Sequence, residues 1–380
     1  LTTDKNSQLQ LIDEVSKRLS QLKTSNSLST QDVVQNLDLG QETDATLTVE
    51  SSNSTSTKIA PVVGEDNKSL STYAIQVQPN AGVDELTVTA TYSNLSKSSY
   101  TDNNGTTHKI AKIVAKYHAY NKAANYGTSN LQINQQPQEG FWYNGFNTVD
   151  VEYTFYDENG QVITIGKNAW LAVLSLNSSG PILEDAKTGV ALAGGYNGGW
   201  RVEGVNGDGD VNFKTLDGST VTVHDDGWAY SDGGNDGIVI GYGNNEGKFA
   251  ARDDNDLYEA TRNSNGNWVL GKLLVHDDKG INWQDVWDSG YEYWDEATRD
   301  SRYAGATVGD VKEGTSTIKL TYVTNYADSS VGGNTWAMMS TIIPPTPAVE
   351  YHLYSTPTTS VNYHYNVVLF IALNQLSLKE

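Results

Sequence analysis

From Leu86 onward the chain alternates apolar and polar residues in short runs: Leu86 to Tyr92, Lys109 to His118, Val149 to Tyr156, Val162 to Ile165, Trp170 to Leu176, Thr220 to His224, Ile238 to Tyr242 and Ile318 to Tyr322. A period of two sends successive side chains to opposite sides of a pleated strand, so each run predicts a half-buried β-strand. Tyr73 to Gln78 alternates in the same way. Gly, Asn and Asp clusters separate the runs, and the Asn-Gly pairs in Asp157-Glu-Asn-Gly160 and Asn103-Asn-Gly105 predict tight hairpin turns. Many strands without regular helical interludes predict a β-sandwich rather than a parallel α/β sheet.

The ends of the chain follow other patterns. Between Lys5 and Lys23 the apolar residues Ile12, Val15, Leu19 and Leu22 recur at helical spacing with polar residues between them, which predicts a short amphipathic helix of coiled-coil type. It serves either as the end of a stalk or as a helix capping a sheet. The Ser- and Thr-rich run Glu50 to Thr57 predicts a loop. Pro344-Pro-Thr-Pro347 and Thr356-Pro-Thr-Thr359 mark the exit from the β region, and Val361 to Glu380 reads as one more strand with a short return segment. The expected organisation is residues 1–36 as stalk end and linker, 37–347 as one β domain and 348–380 as the return segment. No repeat of about 20 to 50 residues is present, which argues against a propeller or tandem binding repeats.

Composition narrows the class. With 46 acidic against 25 basic residues the formal net charge is −21, which repels nucleic acid and anionic membrane and favours a neutral or cationic partner. Cysteine is absent, so disulfides, thiolate metal sites and a cysteine nucleophile are excluded. Thirty-five Gly and 22 Tyr against two Met and six Phe suit a Gly-turned, Tyr-rich secreted β protein. No apolar run reaches the length of a membrane span, and the chain opens at Leu1 without a signal peptide or wall anchor, so it reads as an excised region of a longer protein.

One stretch concentrates candidate chemistry. Gly280 to Asp300 packs Trp283, Trp287, Tyr291, Tyr293 and Trp294 among Asp285, Asp288, Glu292, Asp295, Glu296 and Asp300. A pyranose offers an apolar C–H face to stack on an aromatic plane and a rim of hydroxyls for acceptors to hold, so this mixture predicts a sugar-binding surface. On a helix Trp283, Trp287, Tyr291 and Trp294 share a face; on a strand Trp283, Trp287, Tyr291 and Tyr293 share a side. Either geometry groups the aromatics, and Ser289-Gly290 breaks a single continuous element. Trp200, Trp228 and Tyr230 form a rival aromatic location. Glu184, Asp288 and Glu292 are the expected hydroxyl acceptors.

Asp-rich loops raise hard-cation binding. Asp208, Asp210 and Asn212 alternate like the first half of a calcium loop, but Phe213 stands where the sharp-turn Gly belongs and Ser219 where the closing Glu belongs. Asp225, Asp226 and Asp232 gather further oxygen donors on a second loop. These two sets are the candidate ligands for a structural calcium ion. A glycosidase needs two carboxyl groups about 5 to 9.5 Å apart across a sugar, a separation that sequence does not reveal, and no Gly-x-Ser-x-Gly elbow is present. The chain is therefore expected not to be an enzyme, with a glycoside hydrolase as the catalytic alternative.

Several stretches in order resemble a known family. They are Leu37-Asp-Leu-Gly-Gln-Glu-Thr-Asp-Ala45, Val88-Thr-Ala-Thr-Tyr-Ser-Asn-Leu95 with Ser99-Tyr100, Lys109-Ile-Ala-Lys-Ile-Val-Ala-Lys-Tyr117 and Val151-Glu-Tyr-Thr-Phe-Tyr-Asp157. Asn168-Ala-Trp-Leu-Ala-Val-Leu-Ser-Leu-Asn177 follows with Glu184, then Gly218-Ser-Thr-Val-Thr-Val-His-Asp225, Ser301-Arg-Tyr-Ala-Gly-Ala306, Trp336-Ala-Met-Met-Ser-Thr-Ile-Ile-Pro344 and Val361-Asn-Tyr-His-Tyr365. Together they resemble the glucan-binding protein C and antigen I/II variable-domain family of streptococcal surface adhesins. The resemblance implies a lectin-like β-supersandwich of antiparallel sheets on a helical stalk, extracellular and anchored to the cell wall, with bound calcium in some members. It implies α-glucan (dextran) as ligand in one branch and host salivary glycoprotein in the other. The long Ala-rich repeats expected before the domain are absent, and Gly194 to Asp236 matches the pattern least well. The resulting expectation is a monomeric adhesin domain that binds α-glucan without cleaving it, supporting aggregation and biofilm attachment, with no nucleic-acid partner and no direct membrane contact.

Overall fold

The structure, a computed structural model, describes residues 27–28, 34–61, 71–123, 127–174, 176, 183–185, 191–192, 201–216, 219, 221–231, 238–241, 248–253, 256–262, 268–276, 287–289, 306–326 and 334–340. The amphipathic segment from Lys5 to Lys23, both proline stretches and the tail from Val361 lie outside these residues. Among the described residues no helix is long and apolar enough to cross a membrane.

Two large sheets form a sandwich. The eight-stranded sheet runs, in spatial order, Thr222–Val223, Ala229–Tyr230, Arg201–Asn206, Ile318–Tyr326, Phe146–Tyr156, Lys112–Lys122, Leu86–Ser93 and Thr46–Ser51. The nine-stranded sheet runs Ser27–Leu28, Val211–Leu216, Thr307–Val311, Trp170–Leu174, Asn334–Ser340, Phe141–Asn144, Asn130–Asn134, Ala74–Pro79 and Ser54–Ile59. The pairings are antiparallel apart from Ser27–Leu28 against Val211–Leu216 in this sheet. The period-two pattern does what it predicts: along Leu86–Ser93 and Phe146–Tyr156 every second residue is buried.

The inner faces meet in one core. Val88, Tyr92, Ile113, Tyr117, Val151, Tyr153 and Tyr322 from the first sheet pack with Val77, Leu131, Ile133, Phe141, Leu171 and Phe213 from the second. Phe141 locks the two layers, standing edge-on to Tyr117 at 5.0 Å and to Tyr322 at 5.5 Å between ring centroids. The Tyr143 and Thr324 hydroxyls bond across the same gap at 2.6 Å. Burial pushes the phenols of Tyr92, Tyr117, Tyr153 and Tyr322 up, so they stay neutral in this core.

A seven-stranded sheet runs in the order Ala191–Leu192, Leu183–Asp185, Trp268–His276, Asp256–Arg262, Phe249–Asp253, Ile238–Gly241 and Trp287–Ser289. A three-stranded sheet joins Leu37–Asp38, Ser99–Thr101 and Thr107–Lys109. The segment before Ala45 is held by Glu42, whose fully buried carboxylate accepts from Ser96 N and Lys97 N, both at 2.7 Å, and from Ser98 Oγ at 2.8 Å. That staple accounts for the first family-like stretch as framework.

Two local expectations are corrected. The run Glu50 to Thr57 is not a loop: Thr46–Ser51 and Ser54–Ile59 are strands joined at Ser52 and Asn53, with Asn53 at φ 55°. β-Branched Thr at positions 55 and 57 suits an exposed edge strand despite the linker-like composition. Val162 to Ile165 makes an isolated bridge, Tyr156 to Val162, rather than a strand. Both Asn-Gly pairs do sit in tight hairpin turns, as expected. Only Gly160 and Gly105 have positive φ there, and the carboxylates of Asp157 and Asp102 accept the following backbone N–H groups, as in a type I turn with a glycine bulge.

Candidate functional site

Of the residues in the aromatic stretch, Trp283, Glu292, Tyr293 and Trp294 lie outside the described residues, as do Trp200 and Asp232. Trp287 and Asp288 occupy the edge strand of the seven-stranded sheet, paired with Gly241 and Ile240. Glu184 lies in Leu183–Asp185, beyond Trp268–His276 at the other side of that sheet. Five strand-to-strand steps separate Glu184 from Asp288, on the order of 24 Å, so the structure does not bring these two acceptors together.

The rival aromatic location is a built feature. Thr222–Val223 and Ala229–Tyr230 form a hairpin at the edge of the eight-stranded sheet. His224 N donates to Trp228 O at 2.8 Å, Gly227 N to His224 O at 3.0 Å, and Asp226 Oδ1 accepts from Trp228 N at 3.0 Å. Gly227, at φ 85°, supplies the left-handed residue that closes the turn. Ala229 is fully buried in the sandwich core, so alternation turns Trp228 and Tyr230 to the outer face of the sheet. Their rings are nearly parallel, 10° apart in plane with centroids at 5.6 Å, and His224 meets Tyr230 edge-on at 5.2 Å. Tyr230 lies over Gly204, where a Cβ would sit 2.4 Å from its ring carbons. Partial burial, then the nearby Asp226 carboxylate, push the Tyr230 phenol up and keep it a neutral donor. The result is a small, partly exposed aromatic platform beside two exposed carboxylates.

A second feature has no counterpart in the sequence expectations. Register places Trp170 opposite Asp310 and Asp310 opposite Asn212, so these three side chains form one row across adjacent strands. The row faces away from the sandwich core, because the neighbouring Leu171, Val211 and Val311 point into it. It floors an open groove of about 470 Å³ that is also lined by Gly166, Lys167, Asn168, Gly209, Lys312 and Glu313. Trp170 is half-buried against Ala172, Leu174, Leu216, Ala306 and Val308. Burial pushes the Asp310 carboxyl up, and Lys214 partly opposes this.

The groove is braced from distant parts of the chain. Gln35 clamps the Trp170 backbone, donating from Nε2 to its carbonyl at 2.8 Å and accepting from its N–H at 3.0 Å. Asn103 accepts from Lys167 N at 2.9 Å and donates to Glu313 Oε1 at 2.7 Å, and the Tyr100 hydroxyl accepts from Gly166 N at 2.5 Å. Sequence reading missed Trp170, Asp310 and Asn212 as a set because each is unremarkable in its own run. The available signal was the outward parity of Trp170, a large aromatic at the polar position of a strand that otherwise buries its residues.

The calcium candidates separate into two places. Asp208 and Asp210 sit in the turn that carries the chain from one large sheet to the other, with Asp208 at φ 46° and Asp210 O accepting from Lys312 N at 2.8 Å. Asp225 and Asp226 sit at the tip of the aromatic hairpin, both exposed. No group of three His, Cys, Asp or Glu side chains able to hold a metal forms among the described residues. Two adjacent carboxylates fall short of the six to eight oxygens, approximately, that calcium takes, so the described residues do not fit a calcium cage.

A family model described as glucan-binding protein C matches residues 20–340. The chain belongs to the glucan-binding protein C family. Among solved structures it is similar to the glucan-binding protein C of Streptococcus mutans at 20% identity, with 81% of this chain and 77% of that chain covered and a TM-score of 0.47. It is also similar to the adhesin domain of PrgB from Enterococcus faecalis bound to DNA, at 18% identity over 83% of this chain and 98% of that chain, TM-score 0.47. No curated protein matches. The matched span contains the Leu37 to Ala45 stretch and the long alternating strands Leu86–Ser93, Lys112–Lys122 and Phe146–Tyr156.

Proposed function

We propose that this chain is the ligand-binding domain of an extracellular adhesin that holds α-glucan without cleaving it, with the Trp228–Tyr230 hairpin as a contact surface. The observation that carries this reading is the near-parallel pair of partly exposed rings on the outer face of the eight-stranded sheet, in a chain of the glucan-binding protein C family. A pyranose covering about 100 Å² of apolar ring surface contributes roughly 2.5 kcal/mol before the costs of association, so one platform binds weakly. A polymer that engages many copies on a cell binds strongly by multivalency, which is the behaviour an aggregating adhesin needs. The net charge of −21 favours a neutral polysaccharide over a polyanion. Trp287 and Asp288, on the last strand of the seven-stranded sheet, extend the same ligand's contacts in this reading.

The test is retention on a dextran column with elution by free dextran. The wild-type domain is retained, and a Trp228→Ala, Tyr230→Ala double variant with an unchanged circular dichroism spectrum elutes early. Wild-type flow-through would overturn the ligand, and full retention of the folded double variant would overturn the placement.

A further inference from the structure

We propose that the groove floored by Trp170, Asp310 and Asn212 is a second saccharide-binding site, separate from the aromatic hairpin, which takes a short stretch of a neutral hexose chain. The site does not depend on the hairpin binding glucan. Its volume of about 470 Å³ lies within the range of small-molecule sites, roughly 300 to 1,000 Å³, and is too small for a long polymer segment. The floor combines what a sugar ring requires in one straight row: an indole for its C–H face, a carboxylate that accepts from hydroxyls, and an amide that both donates and accepts.

The rim favours a neutral ligand. Lys167 and Lys312 are balanced by Asp310 and Glu313, within a chain whose overall charge is −21. An anion entering the groove meets Asp310 and Glu313, and a cation meets both ammonium groups, so a ligand of either sign meets like charge. A polyhydroxyl ligand instead finds hydrogen-bond partners in all four. The groove is an open recess between the Gly166 to Asn168 segment, Gly209, Lys312 and Glu313, whereas the hairpin is a pair of rings on a sheet face. A domain with both would bridge two glucan chains or grip one at two points, raising avidity without a new high-affinity contact.

The groove residues are preorganised, as a binding site demands. Gln35 fixes the Trp170 backbone, and Asn103 bonds the Lys167 backbone and the Glu313 side chain at once.

Isothermal titration with isomaltotriose on the Trp228→Ala, Tyr230→Ala background isolates the groove. The expected result is one remaining equivalent of trisaccharide bound. Adding Asp310→Asn, which keeps the shape and removes the charged acceptor, is expected to weaken it about tenfold. Glucuronic acid is expected to bind more weakly than isomaltotriose. Absence of trisaccharide binding on the hairpin-deleted background, or an unchanged Kd in the Asp310→Asn variant, overturns the site, and tighter binding of glucuronic acid overturns the neutral ligand. Loss of binding here together with wild-type retention on dextran leaves the hairpin reading standing, so the two fail independently.

Discussion

The hairpin and the groove present similar chemistry but are held in opposite ways. Trp228 and Tyr230 are positioned by contacts within their own turn, His224 to Trp228 and Asp226 to Trp228, and by one close approach to Gly204. Trp170, Asp310 and Asn212 belong to three strands far apart in the chain, and the groove is tied by Gln35 to Trp170 across 135 residues and by Asn103 to Glu313 across 210. The hairpin's turn is closed by near neighbours in the chain, whereas a groove braced over such distances keeps its shape only while the whole sandwich is folded.

The largest expected effect removes the scaffold both regions share. Phe141→Ala deletes the ring that joins the two sheets through Tyr117 and Tyr322 and should cost about 3 to 5 kcal/mol in chemical denaturation. A cost below about 1 kcal/mol would mean that the layers are not locked at this point. Gly204→Ala should act on the hairpin alone, because its Cβ meets the Tyr230 ring and pushes it off the sheet. Overpacking of about 1 to 3 kcal/mol is expected with reduced dextran retention, and unchanged retention would detach Tyr230 from the ligand.

Gln35→Ala is the counterpart for the groove. Losing the two bonds that clamp Trp170 should cost about 1 to 3 kcal/mol and weaken trisaccharide binding while leaving the hairpin variants' phenotype intact. Equal damage to both sites would dissolve the distinction between them. The smallest effect concerns Asp310, which is surrounded by Lys214 on its own sheet and by Lys167, Lys312 and Glu313 lining the groove. Burial raises its pKa in the folded state, so its stabilising contribution is fully present below the ordinary carboxyl value of about 3.9 and is lost as pH rises through the raised value. Asp310→Asn should therefore slightly raise Tm at neutral pH and not at acidic pH, while weakening binding. A fall in Tm at neutral pH would show that attraction to Lys214 outweighs desolvation.

The same local-versus-distant contrast explains what was legible in the sequence. Strands such as Leu86–Ser93 and Phe146–Tyr156 announce themselves because their burial alternates with a period that any window of the chain displays. Trp228 and Tyr230 stood out as an aromatic location because they are neighbours in the chain. Ser54–Ile59 was misread because composition was weighed over pairing, and an edge strand with one mostly exposed pattern carries little alternation. Glu42 shows the limit from the other side: its stretch was recognisable, but its role depends on Ser96, Lys97 and Ser98, which only the fold brings to it. The Asp208, Asp210 and Asn212 alternation was real, yet a turn between sheets and a strand position split it, sending Asn212 to the groove floor.

Backbone amide shifts in a titration of the labelled wild-type domain with isomalto-oligosaccharide test the central claim most directly. Binding of α-glucan at the hairpin predicts saturable shifts in the amides from Val223 to Ser231, and the groove predicts a second, independently titrating set at Gly166 to Trp170, Asn212 and Asp310 to Glu313. Saturable binding with the Val223 to Ser231 amides unmoved would contradict the account.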